Sequence, residues 1–258
     1  MNDEFYIGWE AKAPPGIGSR VRRAAVCLLV LAAALGAVLA VAQRTIGVSV
    51  FEWGTLKDFG GVFQSRPYPH LLVPRPGAGA GQLAFSSYYL VNQLKHGIDP
   101  ETAARFDGQS VRLKGTLIYR GNQTMIEVAT GTLKTSAGPG AEVAKALAIQ
   151  PVDLGQQTLT GEIVDSKCYM GVMNPGQLEP HRACAIRCIS GGIPPVLLVR
   201  QKDGPALYLL LVSADGRPVN QQVLNLVAEP VEITGDVVRQ GDLLVLRADP
   251  ATYRRIGK

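Results

Sequence analysis

The chain has 258 residues, of which 47% are hydrophobic, 18% charged and 6% aromatic, and its formal net charge is +5. The part that follows the N-terminal apolar segment is long enough for one large or two small hydrophobic cores. Its charges are scattered without a run and aromatic residues are scarce, so the composition argues against a protein that binds nucleic acid.

The first predicted element is a transmembrane helix over residues 21–43. Residues 24–42 form a run of 19 residues without a charged or hydrogen-bonding polar side chain, and a helix of about 20 apolar residues spans a bilayer. Three arginines lie before the run within residues 20–23, whereas Arg44 alone follows it closely. The positive-inside rule therefore predicts residues 1–20 as a cytoplasmic tail and residues 44–258 as a domain outside the cytoplasm.

A cleaved signal peptide is the alternative interpretation of the same segment. Ala40-Val41-Ala42 satisfies the small-x-small pattern of a cleavage site. The long leader with Pro14 and Pro15, and an apolar run that exceeds the usual signal core of about 7–15 residues, favour a retained anchor. Both interpretations export the same domain.

An internal repeat organises the exported part. Val111–Gly121 aligns with Val231–Gly241 at an offset of 120 residues, and both segments alternate apolar and polar residues before a glycine leads into a second apolar run. This pattern is typical of two strands joined by a tight connection. At the same offset Tyr88–Val91 aligns with Tyr208–Leu211, which adds a strand before each pair.

Between these strands both copies carry a weak helical pattern, and upstream of them both carry two further short apolar runs. Each copy thus reads as three strands, a short helix and two strands, which is the order of the five-stranded OB barrel. The segments concerned are Pro100–Phe106 and Pro218–Val227 for the helix, Gly61–Phe63 and Gly161–Val164 for the first strand, and Pro69–Val73 and Pro195–Val199 for the second.

The sequence therefore predicts a mainly β protein, with one N-terminal transmembrane helix followed by two tandem OB-like five-stranded barrels. We assign residues 50–134 to the first module, residues 135–151 to a linker and residues 152–258 to the second module. The second copy has about 25 extra residues between its first and second strands. This Cys/His-rich insert, residues 165–192, is where we expect function, since OB barrels use the loop between these strands for ligands.

A short helix is predicted over Glu179–Ser190 of the insert, because a proline stands in its first turn and two glycines follow its end. On this helix His181, Cys184 and Cys188 stand at i, i+3 and i+7 and so share one face. Cys168, at the end of the preceding strand, can close the cluster from the other side.

Soft-metal binding is the first interpretation of this cluster. Three cysteines and one histidine suit copper or zinc, and the predicted ligands are Cys168, His181, Cys184 and Cys188. Met170, Met173 and Asp165 are secondary candidates, and the two thioethers favour copper over zinc.

Two other interpretations stay open. A disulfide between Cys168 and one of the two helical cysteines would staple an insert that has no core of its own. Alternatively the three thiols exchange one disulfide, with Lys167, Arg182 and Arg187 favouring the thiolate forms.

The strings GEIVDSKCYMGVMNPG and HRACAIRCISGGIPP resemble a motif of an uncharacterised group of bacterial single-pass, membrane-anchored exported proteins. This resemblance implies a bacterial inner-membrane protein with a single span and its C-terminal domain in the periplasm, and it implies that residues 44–258 act as one unit. A looser similarity links Cys184 and Cys188 to the Cys-x3-Cys pair of copper-delivery factors of cytochrome oxidase and of the binuclear copper centre.

Together these observations predict an accessory of an envelope electron-transfer or metal-handling assembly, with the inner membrane and other subunits of a membrane complex as partners. Nucleic acid is not expected as a partner, and conventional enzymatic turnover is not expected either. The alternative is a non-enzymatic scaffold subunit whose insert is held by a structural disulfide.

Overall fold

The computed structural model describes residues 12–43, 48–75, 85–137, 151–202 and 204–257. The first element is helix α1, Pro15–Gln43. Its residues Pro15–Ala42 have a mean hydropathy of 2.8, and this is the one helix among the described residues that is long and apolar enough to cross a membrane.

Helix α1 begins six residues before the predicted start at residue 21. Proline fits its first turn, where the missing N–H has no partner to lose, and Arg20 and Arg22 are good helix formers. The segment 15–20, which we had assigned to the cytoplasmic tail, is therefore helical. Residues 1–11 of that tail lie outside the described residues.

The described residues from Val48 onward form one compact unit that contains two closed barrels. In the first barrel β2 pairs with β3, β3 with β4, β4 in parallel with β6, β6 with β5, and β5 again with β2. Two short strands, β1 and β7, pair with β5 outside this ring. The elements are β1 (Ser49–Phe51), β2 (Lys57–Gln64), β3 (His70–Pro74), β4 (Phe85–Val91), α2 (Pro100–Phe106), β5 (Ser110–Arg120), β6 (Gln123–Val128) and β7 (Lys134–Thr135).

The second barrel closes in the same order, with β8, β9, β10, β12 and β11 in place of β2, β3, β4, β6 and β5. Helix α3 lies between β8 and β9, and a π-helical turn precedes it. The elements are β8 (Val152–Asp165), the turn Cys168–Val172, a 3-10 turn (Glu179–His181), α3 (Arg182–Ser190), β9 (Pro195–Val199), β10 (Leu207–Val212), β11 (Pro230–Gln240), β12 (Leu243–Arg247) and β13 (Arg254–Arg255).

This repeated ring of strands confirms the predicted fold class of two OB-like five-stranded barrels. The last two strands of the copies correspond at the predicted offset of 120 residues. Strands β4 and β10 do not correspond at this offset. Met125 and Val245 are 120 residues apart, but Met125 pairs with Tyr89 and Val245 pairs with Leu210, which are 121 residues apart. The offset for this strand is therefore 121, which corrects the sequence alignment by one residue.

The same glycine occurs in the first strand of each barrel. A Cβ on Gly61 would overlap the carbonyl oxygen of Leu72, and a Cβ on Gly161 would lie 2.6 Å from the carbonyl oxygen of Leu198. Only glycine permits this close approach of two strands. Both barrels thus use one device at one position, which supports their origin by duplication.

The helix predicted over Pro218–Val227 is wrong in extent. The structure has only a 3-10 turn there, Leu224–Leu226. The backbone N–H of Val219 donates instead to the phenolic oxygen of Tyr68, at 3.1 Å. A helix in the first barrel, α2, does cover the predicted residues, since Asp99 caps it by accepting from the N–H of Thr102 at 2.8 Å.

A third hydrophobic core lies between the two barrels and contains residues of both, in addition to the core inside each barrel. Tyr68, from the loop between β2 and β3, donates a hydrogen bond from its hydroxyl to the carbonyl oxygen of Leu211 in the second barrel, at 3.1 Å. The fully buried members of this shared core come from both barrels: Val91, Ile118, Met125, Met170, Ile193, Val196, Leu210 and Val212. The tandem modules are therefore one packed unit.

His70 gives the fold a pH dependence. Its ring is buried, and its Nδ1 donates to the carbonyl of Tyr68 at 2.8 Å. Burial lowers its pKa, against smaller opposing effects of that hydrogen bond, Asp242 and Asp107. A group whose pKa is lower in the folded chain favours the folded state above its unfolded pKa, and this stability is lost as the pH falls through the folded pKa.

We expect the free energy of unfolding of the detergent-solubilised chain to fall as the pH drops below about 6.5. Urea titrations at several pH values between about 5 and 7.5 measure this slope, and His70→Gln should flatten it. The matched control is His96→Gln, since the ring of His96 is exposed. An unchanged slope in the His70 variant would contradict the assignment.

Candidate metal centre

Cys168 lies in the first turn after β8. Asp165 ends that strand, is fully buried, and its Oδ1 accepts the backbone N–H of Cys168 at 2.8 Å. This hydrogen bond is the usual way in which an aspartate fixes a turn three residues long. It directs the chain into the π-helical turn that begins at Cys168.

Helix α3 carries the other two cysteines one turn apart. Arg182, the first residue of this helix, forms an ion pair with Glu229, and Glu229 also forms an ion pair with Arg255. The helix ends at Gly191, whose N–H donates to the carbonyl oxygens of Arg187 and Cys188 at 3.2 and 3.1 Å. The structure thus bears out a helix that ends at the glycine pair, preceded by a 3-10 turn at Glu179–His181.

The three sulfurs converge. Cys168 Sγ lies 3.9 Å from Cys184 Sγ and 3.9 Å from Cys188 Sγ, and all three sulfurs lie within 4.8 Å of one another. Cys168 is 3% exposed and Cys188 is 1% exposed, whereas Cys184 is half-buried. The cluster is therefore open to solvent at Cys184 alone among its sulfurs.

His181 lies close to Asp165 and Cys168. Its Nε2 is 2.9 Å from Asp165 Oδ2, and the potential ligand atoms of Asp165, Cys168 and His181 form a second group within 4.8 Å of one another. Cys168 therefore belongs to both groups, the three sulfurs and the mixed Asp/Cys/His group. The imidazole that we grouped with the two helical sulfurs is engaged by a carboxylate.

The two methionines differ in their surroundings. Met170 is fully buried in the core shared by the barrels, in the same cluster as Cys168 and Cys188. Met173 is 46% exposed on the turn that follows.

A lysine of the first barrel completes the cluster. Lys95 Nζ donates to Cys184 Sγ at 2.7 Å and lies 3.8 Å from Cys188 Sγ. It stands in the loop between β4 and α2, and this loop contacts the end of α3 through a hydrogen bond from the N–H of Gly97 to the carbonyl of Gly191 at 2.9 Å. The sulfur cluster therefore lies at the junction of the two barrels.

Lys167 fixes the loop that carries Lys95. Its ammonium group is 1% exposed and lies 2.5 Å from Glu127 Oε2 on β6. The same group donates to the carbonyl oxygens of Asn92 and Leu94 at 2.9 and 2.7 Å. Leu94 adopts a φ of 59°, a left-handed conformation that costs a non-glycine residue about 1 kcal/mol or more, and the hydrogen bonds of Lys167 hold it there.

The cations that we expected to favour thiolates are not the ones that do so. Lys167 pairs with Glu127, Arg182 pairs with Glu229, and Arg187 is exposed. The cation at the sulfurs is Lys95, 89 residues before Cys184. No local pattern in the sequence points to it, because its position depends on how the two barrels pack.

The thiols influence one another. The hydrogen bond from the Cys168 thiol to the sulfur of Cys188, together with burial and the nearby Asp165, raises the pKa of Cys168. The same hydrogen bond, with help from Lys95, lowers the pKa of Cys188. The contact with Cys184 raises the pKa of Lys95. The two buried thiols thus share one hydrogen bond, and their pKa values are shifted in opposite directions.

None of the described cysteines is within disulfide distance of another, since a disulfide requires about 2.05 Å between sulfurs. The predicted staple therefore stays a prediction for an oxidised form.

Comparisons with known proteins give no functional assignment. No protein-family model matches the sequence, and no curated protein matches it. Two solved structures of the single-stranded DNA binding protein from Thermus aquaticus, a deletion mutant and the wild type, each share 14% identity with 83% of this chain at a TM-score of 0.24. The matches cover 89% and 88% of those chains. At this TM-score the likeness carries no argument about a ligand, and the barrel assignment depends on the strand order described above.

Proposed function

We propose that Cys168, Cys184 and Cys188 bind one soft metal ion, Cu(I) or Zn(II), in a membrane-anchored periplasmic module. The module would serve an envelope electron-transfer or metal-handling assembly. The observation that carries this proposal is the spacing of the sulfurs, 3.9 Å for both pairs that include Cys168.

This spacing fits a shared ion. Three sulfurs that each lie about 2.3 Å from one metal are separated by about 4.0 Å in a trigonal plane and by about 3.8 Å in a tetrahedron. The observed 3.9 Å lies between these values, so an ion would require little movement of the two buried sulfurs. Lys95 would offset part of the negative charge of three thiolates.

The donor set suits Cu(I) better than Zn(II). Thiolates are soft ligands that select Cu(I), and three of them complete a trigonal site. Zn(II) takes four ligands, and the fourth would be a water molecule, or His181 after release from Asp165. The secondary candidates Met170 and Met173 are not needed for either ion.

The proposed location rests on α1 and on the arginines that precede its apolar run. A helix with a mean hydropathy of 2.8 over Pro15–Ala42 supports an anchor, and the charge bias supports an outward-facing domain. Buried thiols in such a compartment need protection from oxidation, and a bound metal ion would supply it.

Thiol redox exchange is the second candidate function. Cys168 Sγ is equally distant from the other two sulfurs, at 3.9 Å, so neither is favoured over the other by distance as its disulfide partner. Its raised pKa argues against it as the attacking group, because the thiolate is the nucleophile in this exchange. We therefore rank metal binding first.

The test is metal titration of the full-length chain, purified in detergent and reduced under anaerobic conditions. We expect one equivalent of Cu(I) to bind, with a sulfur-to-copper charge-transfer absorption in the ultraviolet. Cys184→Ser should weaken the affinity at least tenfold, since one of three thiolates is lost. Cys27→Ser is the matched control, because Cys27 is exposed in α1 and outside the cluster.

Binding of neither Cu(I) nor Zn(II) by the reduced wild-type chain would refute the metal proposal. A thiol count on unreduced protein then separates the remaining interpretations. One free cluster thiol with two in a disulfide supports redox exchange or a structural staple. In a Cys188→Ser variant, a disulfide between Cys168 and Cys184 supports exchange, and loss of a Cys168–Cys188 disulfide without a new one supports the staple.

A further inference from the structure

The contact between Lys95 and Cys184 is unusually short. The distance from Nζ to Sγ is 2.7 Å, a typical length for a hydrogen bond from nitrogen to oxygen, although sulfur is a larger atom than oxygen. The neighbouring contact, from the same Nζ to Cys188 Sγ, is 3.8 Å. The nitrogen therefore lies much closer to the sulfur of Cys184 than to that of Cys188.

Two ordinary explanations fit this distance poorly. If nitrogen and sulfur were both ligands of one tetrahedral ion, with bonds of about 2.1 and 2.3 Å, they would lie about 3.6 Å apart. A direct bond between them would bring them much closer than 2.7 Å. Two single bonds through one oxygen atom, N–O–S, span about 2.7 Å. Sulfur forms such bonds to oxygen when a thiol is oxidised.

The backbone holds the two groups together. A Cβ on Gly97 would overlap the carbonyl oxygen of Gly192, and a Cβ on Gly191 would overlap the carbonyl oxygen of Lys95. The loop and the helix end therefore meet without intervening side chains. Lys167 holds the loop from its other side through the carbonyls of Asn92 and Leu94.

The pair is also accessible. Cys184 and Lys95 are half-buried, whereas Cys168 and Cys188 are buried. Small oxidants therefore reach Cys184 first among the three thiols, at the position where the amine lies.

We propose that dioxygen converts this pair into a covalent crosslink, Lys95 Nζ–O–Sγ Cys184, between the two barrels. The ammonium group of the half-buried Lys95 first releases a proton to solvent, which leaves a neutral amine beside the Cys184 thiol. One oxygen atom of O2 then forms the N–O and O–S bonds, and the other leaves as water with one hydrogen from the amine and one from the thiol. Nitrogen and sulfur each lose two electrons, and O2 accepts all four.

The crosslink has a consequence for the cluster. It removes Cys184 from the three sulfurs, so that, on the proposed function, an oxidised chain would release its metal ion and a reduced chain would bind it. The crosslink itself does not need the metal site, because it involves only Lys95, Cys184 and O2. The two proposals can therefore fail separately.

The test uses full-length chain in detergent, kept metal-free, exposed to air-saturated buffer and compared with an anaerobic sample. We expect an intact-mass increase of about 14 Da, the gain of one oxygen and loss of two hydrogens, that a thiol reductant reverses. Peptide mass spectrometry should find the Lys95 peptide joined to the Cys184 peptide. Lys95→Arg, which keeps the positive charge, should abolish the joined peptide, and Cys188→Ser should retain it.

An aerobic chain without this mass increase overturns the proposal, as does a loss of two mass units from an ordinary disulfide. A gain of one or two oxygen atoms on Cys184 alone also overturns it. The mapping is done on wild-type protein, so its outcome does not depend on whether a variant folds. Copper binding by the anaerobic sample is scored independently.

Discussion

Lys167→Met is expected to destabilise the folded chain by about 3–5 kcal/mol, the usual cost of removing one partner from a buried ion pair. The ammonium group is 1% exposed, and Glu127, which it contacts, is 11% exposed. Its loss leaves a carboxylate without its partner and removes the donor to the carbonyls of Asn92 and Leu94. Methionine fills a similar volume but satisfies none of these groups.

Urea unfolding followed by circular dichroism measures this change. The double variant Lys167→Met with Glu127→Gln should recover part of the lost stability, since the unpaired charge is then absent. Lys57→Met is the matched surface control, because Lys57 is 44% exposed in its ion pair with Glu52, and such pairs contribute about 1 kcal/mol or less. Equal losses in the Lys167 and Lys57 variants would show that the inter-barrel ion pair is not important for stability.

Gly191→Ala is expected to destabilise the chain by about 1–3 kcal/mol, as overpacking does, and to separate Lys95 from the sulfurs. The added Cβ would overlap the carbonyl oxygen of Lys95, so the loop must move away from the end of α3. Urea unfolding measures the first effect, and loss of the Lys95–Cys184 crosslink in air measures the second. The control is Gly60→Ala, where a Cβ would lie 3.8 Å from its nearest neighbour. A Gly191 variant as stable as the Gly60 variant would contradict the close packing described here.

The fold could be predicted because its signals are local and occur twice. Alternating apolar residues mark β5 and β11, and a glycine ends both strands. The one-residue error at β10 arose because Tyr88 and Tyr208 matched by residue type, whereas the register is set by pairing with β12. The shortened helix near Leu224 reflects a tertiary contact with Tyr68, which a local pattern cannot indicate.

The site was predictable only where its residues are close in sequence. Helical spacing brought Cys184 and Cys188 together, and the strand end supplied Cys168. The same spacing predicted that His181 is a ligand, and this stays a prediction: its ring contacts Asp165 and forms a second possible metal-holding group with Asp165 and Cys168. Lys95 carries no local signal at all, since it reaches the sulfurs through the packing of one barrel on the other.

Cys168 and Cys188 belong to the core that both barrels share, and this determines when their chemistry can begin during synthesis. Until β9 and the strands after it have been made, the second barrel cannot close, and these sulfurs have no cover. A nascent chain therefore exposes the thiols of Cys168 and Cys188 to solvent for a limited period, and a metal ion or an oxidant would reach these two sulfurs more easily before the second barrel closes than after it.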